Sequence, residues 1–440
     1  MSRKRIMVLL SSAIVLVALL VTVVYYAHSS LEQEGQATLP SGENNKITLE
    51  ILNPKVEIAS QFEQMVNDYM KEHPHVQINV RTVGGGADDR AELRAMFAYG
   101  QGPDIFTNGG YEEARLYRDY LEDLSDQPWV QNAIDMALEP MTLDGKVYGM
   151  PVNIEGYGFI YNKDLFKQAG IVELPTTLSE LTESASRLKS AGITPFANAY
   201  AEKWVLGVHL INIAFAHQDN TDEFIRNLSR GTESIEGNPH FLDLLKLLDV
   251  TLEYGNDQPL TFDYNAQVSE FAQGKAAMIQ QGNWIQPMLD QITSNMNIGM
   301  LPIPINDNPG NDALAVGVPN NWVINKKSSE QKKAEAKLFL NWMVSSEQGK
   351  MHLVERLKFI PAFHHIQTDS LGPLADDILR YSYENKTLSW NWYTYPDGVS
   401  DYEFGPVMQA YIGDQMTAEQ VLQQLQTLWE TTNEHQTVDE

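Results

Sequence analysis

The spacing of hydrophobic positions changes at Ile47. Before it lies one apolar run, Ile6–Tyr26, interrupted only by Ser11, Ser12 and Thr22. Wound as a helix, the run would reach about 31 Å, roughly the hydrocarbon thickness of a bilayer. Arg3, Lys4 and Arg5 precede it, an arrangement that keeps the N-terminus cytoplasmic and sends the rest across. A cleaved signal peptide usually has a shorter apolar stretch, about 7–15 residues, although Ala27-His28-Ser29 offers small residues for cleavage. Two readings stand, an uncleaved anchor and a signal segment released near Ser29, and the length favours the anchor. The body is extracytoplasmic in either case. The segment Ser30–Asn45, without aromatics and with three Glu, reads as a flexible tether.

From Ile47 onward, alternating and helical periods take turns. Ile47, Leu49 and Ile51 alternate as in a strand, and Ile58, Phe62, Met65, Val66 and Tyr69 then recur at helical spacing before Pro74. Val76, Ile78 and Val80 predict a second strand, Asp88–Tyr99 a helix and Asp104–Thr107 a third strand. This βαβαβ order predicts a mostly parallel sheet with helices on both faces. Asp144-Gly145 between apolar stretches marks a tight hairpin. A second strand–helix series starts at Gly158–Tyr161. Thr177 and Glu180 have capping-box spacing ahead of a helix ending near Gly192. Thr194–Ala199, Ala276–Gln280 and Asn297–Ile303 predict later strands. A final helix from Thr417 carries Val421, Leu422, Leu425, Leu428 and Trp429 on one face. The sum is an α/β protein of two lobes behind one N-terminal membrane segment.

Composition narrows the partners. The 440 residues include 58 acidic and 31 basic side chains, a net charge of −27, so phosphate backbones are repelled and nucleic acid is excluded as a partner. There is no cysteine, which removes disulfides, thiolate metal sites, cysteine catalysis and thioether lipidation. The pairs His73/His75 and His364/His365 lack further ligands at metal spacing. Gly84-Gly85-Gly86 lacks the Lys-Ser/Thr of a phosphate loop, and no Gly-x-Ser-x-Gly elbow occurs. No cofactor, metal or catalytic residue is therefore expected. Aromatic residues reach 10%, and such rings pack well on the apolar face of a pyranose.

Several stretches carry a resemblance. They include Tyr148–Val152 through Gly158–Phe166, Gly102-Pro103-Asp104-Ile105-Phe106, and Phe271–Met278 followed by Gly282-Asn283-Trp284. Ala315–Lys327, the helix Ala334–Ser345 with Glu347-Gln348-Gly349, and Phe359–Ala362 complete the set. Together they resemble family 1 extracellular solute-binding proteins, the sugar receptors of ABC importers. The resemblance implies a two-lobed, type II periplasmic-binding-protein-like fold with crossings near Val152–Glu155, Gly317–Asn320 and Ile360–Pro361. It implies residues 1–29 as anchor or signal, 30–45 as linker, 46–152 with 319–360 as lobe one, and 153–318 with 361–440 as lobe two. Members commonly carry a lipobox cysteine, which this chain lacks.

The resemblance also implies site residues. Trp204 and Trp284 match sugar-stacking platforms, and Glu155 matches an acidic contact at the first crossing. Lys55 and Asn108 resemble lobe-one polar contacts, and Asn108 sits where open α/β sheets bind ligands. Asn321 follows the second crossing and is placed to reach the cleft. In the run Trp390–Asp397, Trp392, Tyr395 and Asp397 line the cleft as in members with a late binding loop. Each has a plainer alternative: core for the tryptophans, a surface loop for the late run, a solvated charge for Lys55 and Glu155. The implied function is that of a monomeric, non-enzymatic receptor. It captures a carbohydrate, expected to be an oligosaccharide, and delivers it to separate permease and ATPase chains of an ABC importer. The alternatives are a sugar receptor reporting to a membrane sensor and a glycoside-acting enzyme, which would need paired carboxylates about 5–10 Å apart.

Overall fold

The computed structural model describes residues 46–293, 295–368 and 371–439. The expected anchor and tether lie outside them. Among the described residues no helix is long and apolar enough to cross a membrane.

The first sheet has the strand order β2-β1-β3-β12-β6. Its early members are β1 (Ile47–Asn53), β2 (Val76–Thr82) and β3 (Ile105–Asn108). The hairpin β4 (Thr142–Leu143)/β5 (Lys146–Val147) and then β6 (Met150–Pro151) follow. Asp144 and Gly145 turn that hairpin with φ of 51° and 75°, the left-handed pair that a two-residue hairpin requires. Because side chains alternate across a strand, Leu49 and Ile51 enter one core with Phe62 and Tyr69, while Leu52 enters the core on the opposite face with Phe106 and Leu93.

The second sheet holds β7 (Glu155–Asn162), β8 (Thr194–Phe196), β9 (Ala276–Gly282), β10 (Ile298–Leu301) and β11 (Leu314–Gly317). The chain then returns to the first sheet as β12 (Asn321–Ile324), and β13 (Thr387–Leu388) closes the second, ordered β13-β11-β7-β9-β8 with β10 also on β7. Tyr157, Phe159 and Tyr161 of β7 face one core and Ile160 the other. The Thr177–Glu180 capping box forms, starting the helix Leu178–Ser190. The last helix, Ala418–Asp439, buries Val421, Leu422, Leu425 and Trp429 in the same core as Tyr157.

The expectation of a mostly parallel sheet from the βαβαβ order holds for its three strands and not beyond them. β1 is parallel to β2 and β3, but β12 is antiparallel to both β3 and β6. β7 is antiparallel to β9, β10 and β11. The reason is the crossings: β6 runs into β7, and β11 into β12, without the helical crossover that makes consecutive strands parallel.

The crossing segments lie side by side. The Val152 amide donates to the Asn320 carbonyl at 3.0 Å, and the Ile154 amide to the Ile360 carbonyl at 2.8 Å. At the third of these segments the cores interleave: Ile360 packs in the second-sheet core, Phe359, Ala362, Phe363 and Ile366 in the first-sheet core, and Leu371 again in the second.

Candidate functional site

A cleft of about 260 Å³ opens between the lobes, beside the crossing segments. The first lobe contributes Lys55, just past the C-terminal end of β1, and Asp89-Arg90 at the start of the helix Asp89–Ala98. The second contributes Glu155, Trp204, His209, Tyr264, Trp284, Trp390, Trp392 and Asp401.

The aromatic wall has fixed orientation. Trp204 and Trp284 stand at 64° with ring centroids 6.4 Å apart. Trp204 Nε1 donates to Glu202 Oε2 at 3.2 Å and Trp284 Nε1 to Gln281 Oε1 at 3.0 Å. With their polar edges committed inside the lobe, both indoles contribute apolar ring surface to the cleft. Trp390 and Trp392 pair at 4.6 Å further along. His209 lies among these rings, stacked on Tyr157 at 4.4 Å and 14°. Burial pushes its pKa down to about 3, so the imidazole is neutral.

Charge collects in two groups. At the crossing, Lys55 Nζ reaches Glu155 Oε1 at 2.6 Å and Glu57 Oε1 at 3.6 Å, and Asn153 Nδ2 donates to Glu155 at 3.0 Å. Burial alone would lower the Lys55 pKa, but Glu155 and Glu57 outweigh it and hold the ammonium above its ordinary value. Burial holds the Glu57 carboxyl above its usual range. At the other group, Arg90 of the first lobe pairs with Asp401 of the second at 2.9 Å and with Glu113 at 3.5 Å. Tyr402 adds to this bridge, its hydroxyl donating to Asp88 at 2.9 Å and accepting from Arg94 at 3.2 Å. Burial pushes Asp89 beside them up to about 6. These contacts tie the lobes together at the cleft margin.

Five residues expected from the sequence line this cleft: Lys55, Glu155, Trp204, Trp284 and Trp392. Asp397 lines a separate small cavity behind Arg90, with Glu113 and Asp401. Asn108, Asn321 and Tyr395 do not line the cleft either, although Tyr395 borders the same small cavity as Asp397. Asn108 is 1% exposed, its Oδ1 accepting from the Gly110 amide at 2.8 Å. Asn321, fully buried, donates to the Asn108 carbonyl at 3.2 Å, so both amides serve the strand ends rather than the cleft. Tyr395 turns inward, 4.4 Å from Phe215 and 5.2 Å from Trp429, and packs with both in the second-lobe core. His209, Tyr264, Arg90 and Asp401 were missed. His209 sits in an apolar helix that reads as core, and Arg90 and Asp401 meet only through the fold. Among the described residues no three His, Asp or Glu side chains converge as a metal site.

Comparison with known proteins agrees with this geometry. Residues 53–350 match the family described as bacterial extracellular solute-binding protein. A multiple sugar-binding protein of Streptococcus mutans is 25% identical over 270 residues, 59% of this chain and 63% of the relative. The chain thus matches less than two thirds of that relative's length. Among solved structures, a chitin oligosaccharide binding protein aligns with a TM-score of 0.77 at 22% identity, over 89% of this chain and 100% of the other. A solute-binding protein in complex with raffinose aligns with a TM-score of 0.76 at 22% identity, over 88% and 100%. These likenesses carry the two-lobed α/β fold. By its matched sequence, the chain belongs to the family of bacterial extracellular solute-binding proteins.

Proposed function

We propose that this protein captures a saccharide between its lobes and delivers it to an ABC importer made of separate permease and ATPase chains. The aromatic wall of the cleft supports this reading most directly. Two indoles with internally satisfied Nε1 groups present apolar faces, and carboxylates and a neutral imidazole beside them accept and donate to hydroxyls. The cations of the cleft, Lys55 and Arg90, already face carboxylates, so a neutral ligand fits better than an anionic one. The similar proteins named for multiple sugars, chitin oligosaccharide and raffinose point the same way. The lobes move as the closing units, and the Arg90–Asp401 bridge holds the closed arrangement.

A thermal-shift screen over neutral mono- to pentasaccharides, including raffinose, stachyose and chitin oligosaccharides, tests the proposal. A ligand at a hundred times its dissociation constant adds about 2.7 kcal/mol of stability. No shift with any saccharide would reject it. For ligands that do bind, Trp204→Ala and Trp284→Ala should each weaken calorimetric affinity by about 1–3 kcal/mol. Wild-type affinity in both folded variants would refute the platform roles.

Residues 1–29 are proposed to anchor the body outside the cytoplasm, with 30–45 as tether. Intact-mass measurement of the membrane fraction should then find residues 1–29 attached. A dominant soluble species beginning near Ser30 would show a cleaved signal segment instead.

A further inference from the structure

Among the described residues that line the cleft, three side chains hold a buried polar atom with no partner in the protein: Trp390, through its Nε1, and the two in ring contact with Trp204, Tyr264 and His209. Tyr264 is 3% exposed and its hydroxyl has no hydrogen bond. His209 is 8% exposed and its Nδ1 has none. Both line the cleft and both meet the same ring: Trp204 lies 5.1 Å from His209 at 81° and 5.8 Å from Tyr264 at 70°. The indole nitrogens of Trp204 and Trp284 contrast with them, since both are paired internally. Buried polar atoms are nearly always hydrogen-bonded, and an orphan is costly unless something else supplies the partner. A wall built only for packing would be better served by phenylalanine at both positions.

The backbone around His209 adds to the case. Residues Val205–Leu210 form a π-helical segment, a rare conformation that appears often at functional sites. It packs against a second such segment, Val399–Phe404.

We propose that His209 and Tyr264 are the specificity-determining pair of the cleft, each reading a ligand hydroxyl at one edge of a sugar ring stacked on Trp204. The inference rests on the saccharide reading above and goes further, because it says which saccharides are rejected. A site with committed hydrogen-bonding groups discriminates strongly against an analogue lacking the matching hydroxyl, since its own group is then left unpaired. Burial supports the role by keeping the His209 ring neutral, with one donor and one acceptor nitrogen. Deoxy or O-methyl analogues altered at the facing carbons should bind at least 100-fold more weakly than the parent sugar.

The test uses Tyr264→Phe and His209→Phe, which keep the ring shape and remove the orphan polar atoms. His209→Gln and Trp284→Ala are made beside them, and all are titrated with every saccharide that shifts the wild type, starting from raffinose, stachyose and chitin oligosaccharides. Both Phe variants should lose at least tenfold in affinity while their melting temperatures stay equal to wild type or rise. His209→Gln should recover part of the loss. A merely structural role predicts the opposite pattern, with stability moving and affinity not. Affinity within twofold of wild type in both Phe variants, with Trp284→Ala weakened, would overturn the pair and leave the saccharide reading standing. If no saccharide binds the wild type, both fall together.

Discussion

Replacing Lys55 by Met should cost about 3–5 kcal/mol of folding stability, measured by urea denaturation at pH 7.5, the range for breaking a buried ion pair by removing one partner. Lys55 is 8% exposed and its ammonium sits between two carboxylates, Glu155 at 2.6 Å and Glu57 at 3.6 Å. Methionine fills a similar volume, so the loss comes from two buried negative charges left without a cation. Glu155→Gln should cost less, because Lys55 keeps Glu57. The pH dependence separates this cause from simple repacking. In the wild type the Lys55 pKa is held above its ordinary 10.5. Its contribution is therefore complete below that value and lost as pH rises through the higher folded value. In the variant the effect shifts to the acids. Burial already raises the Glu57 carboxyl, and removing the lysine raises it further. An acid with a raised folded pKa destabilises when ionised, so the deficit should shrink as pH falls from 7.5 toward 5. A deficit that stays constant over that interval would show that packing, not charge, sets the cost.

Gly207→Ala should be almost as damaging, and its damage should reach the ligand. A Cβ on Gly207 would lie 2.1 Å from the Ser400 carbonyl oxygen and 2.6 Å from the Gly405 amide nitrogen. Both are backbone atoms, so no side-chain rotation relieves the overlap. One of the two π-helical segments must move away from the other. They carry His209 and Asp401 into the cleft, and the shift displaces one wall of the aromatic cage and the second-lobe end of the Arg90 bridge together. Overpacking of a tight contact costs about 1–3 kcal/mol, and this position belongs at the upper end because backbone must yield. Saccharide affinity should fall more than tenfold even where the variant is folded. Calorimetry showing wild-type affinity in Gly207→Ala would mean that the close approach of these segments does not shape the site.

How much of this was legible beforehand depends on the range of the interaction. Period-2 alternation at Ile47–Ile51, the helical stripe from Phe62 to Tyr69, the Thr177–Glu180 cap and the Asp144-Gly145 turn are decided within a few residues. Their physics is local: the strand pleat, the helix pitch, an orphan amide at a helix start and a left-handed turn. The sequence blocks that resemble solute-binding proteins are likewise read from neighbours, and five of the residues that the resemblance implies, Lys55, Glu155, Trp204, Trp284 and Trp392, line one cleft.

Tertiary structure decided what each buried or charged group faces. Strand direction in both sheets followed from crossings without helical connections. Asn108 and Asn321 read as amides available to a ligand, but strand pairing sets the Asn321 side chain on the Asn108 main-chain carbonyl, 213 residues away, and the Asn108 side chain accepts from the Gly110 amide. Tyr395 had the same composition around it as Trp392, and only the packing of Phe215 and Trp429 drew it inward. Arg90 and Asp401 are 311 residues apart in the chain. A local pattern specifies that a side chain is buried or polar, because burial periodicity is written in neighbours. It does not specify the partner, because that choice belongs to whichever distant surface the fold brings within hydrogen-bonding distance.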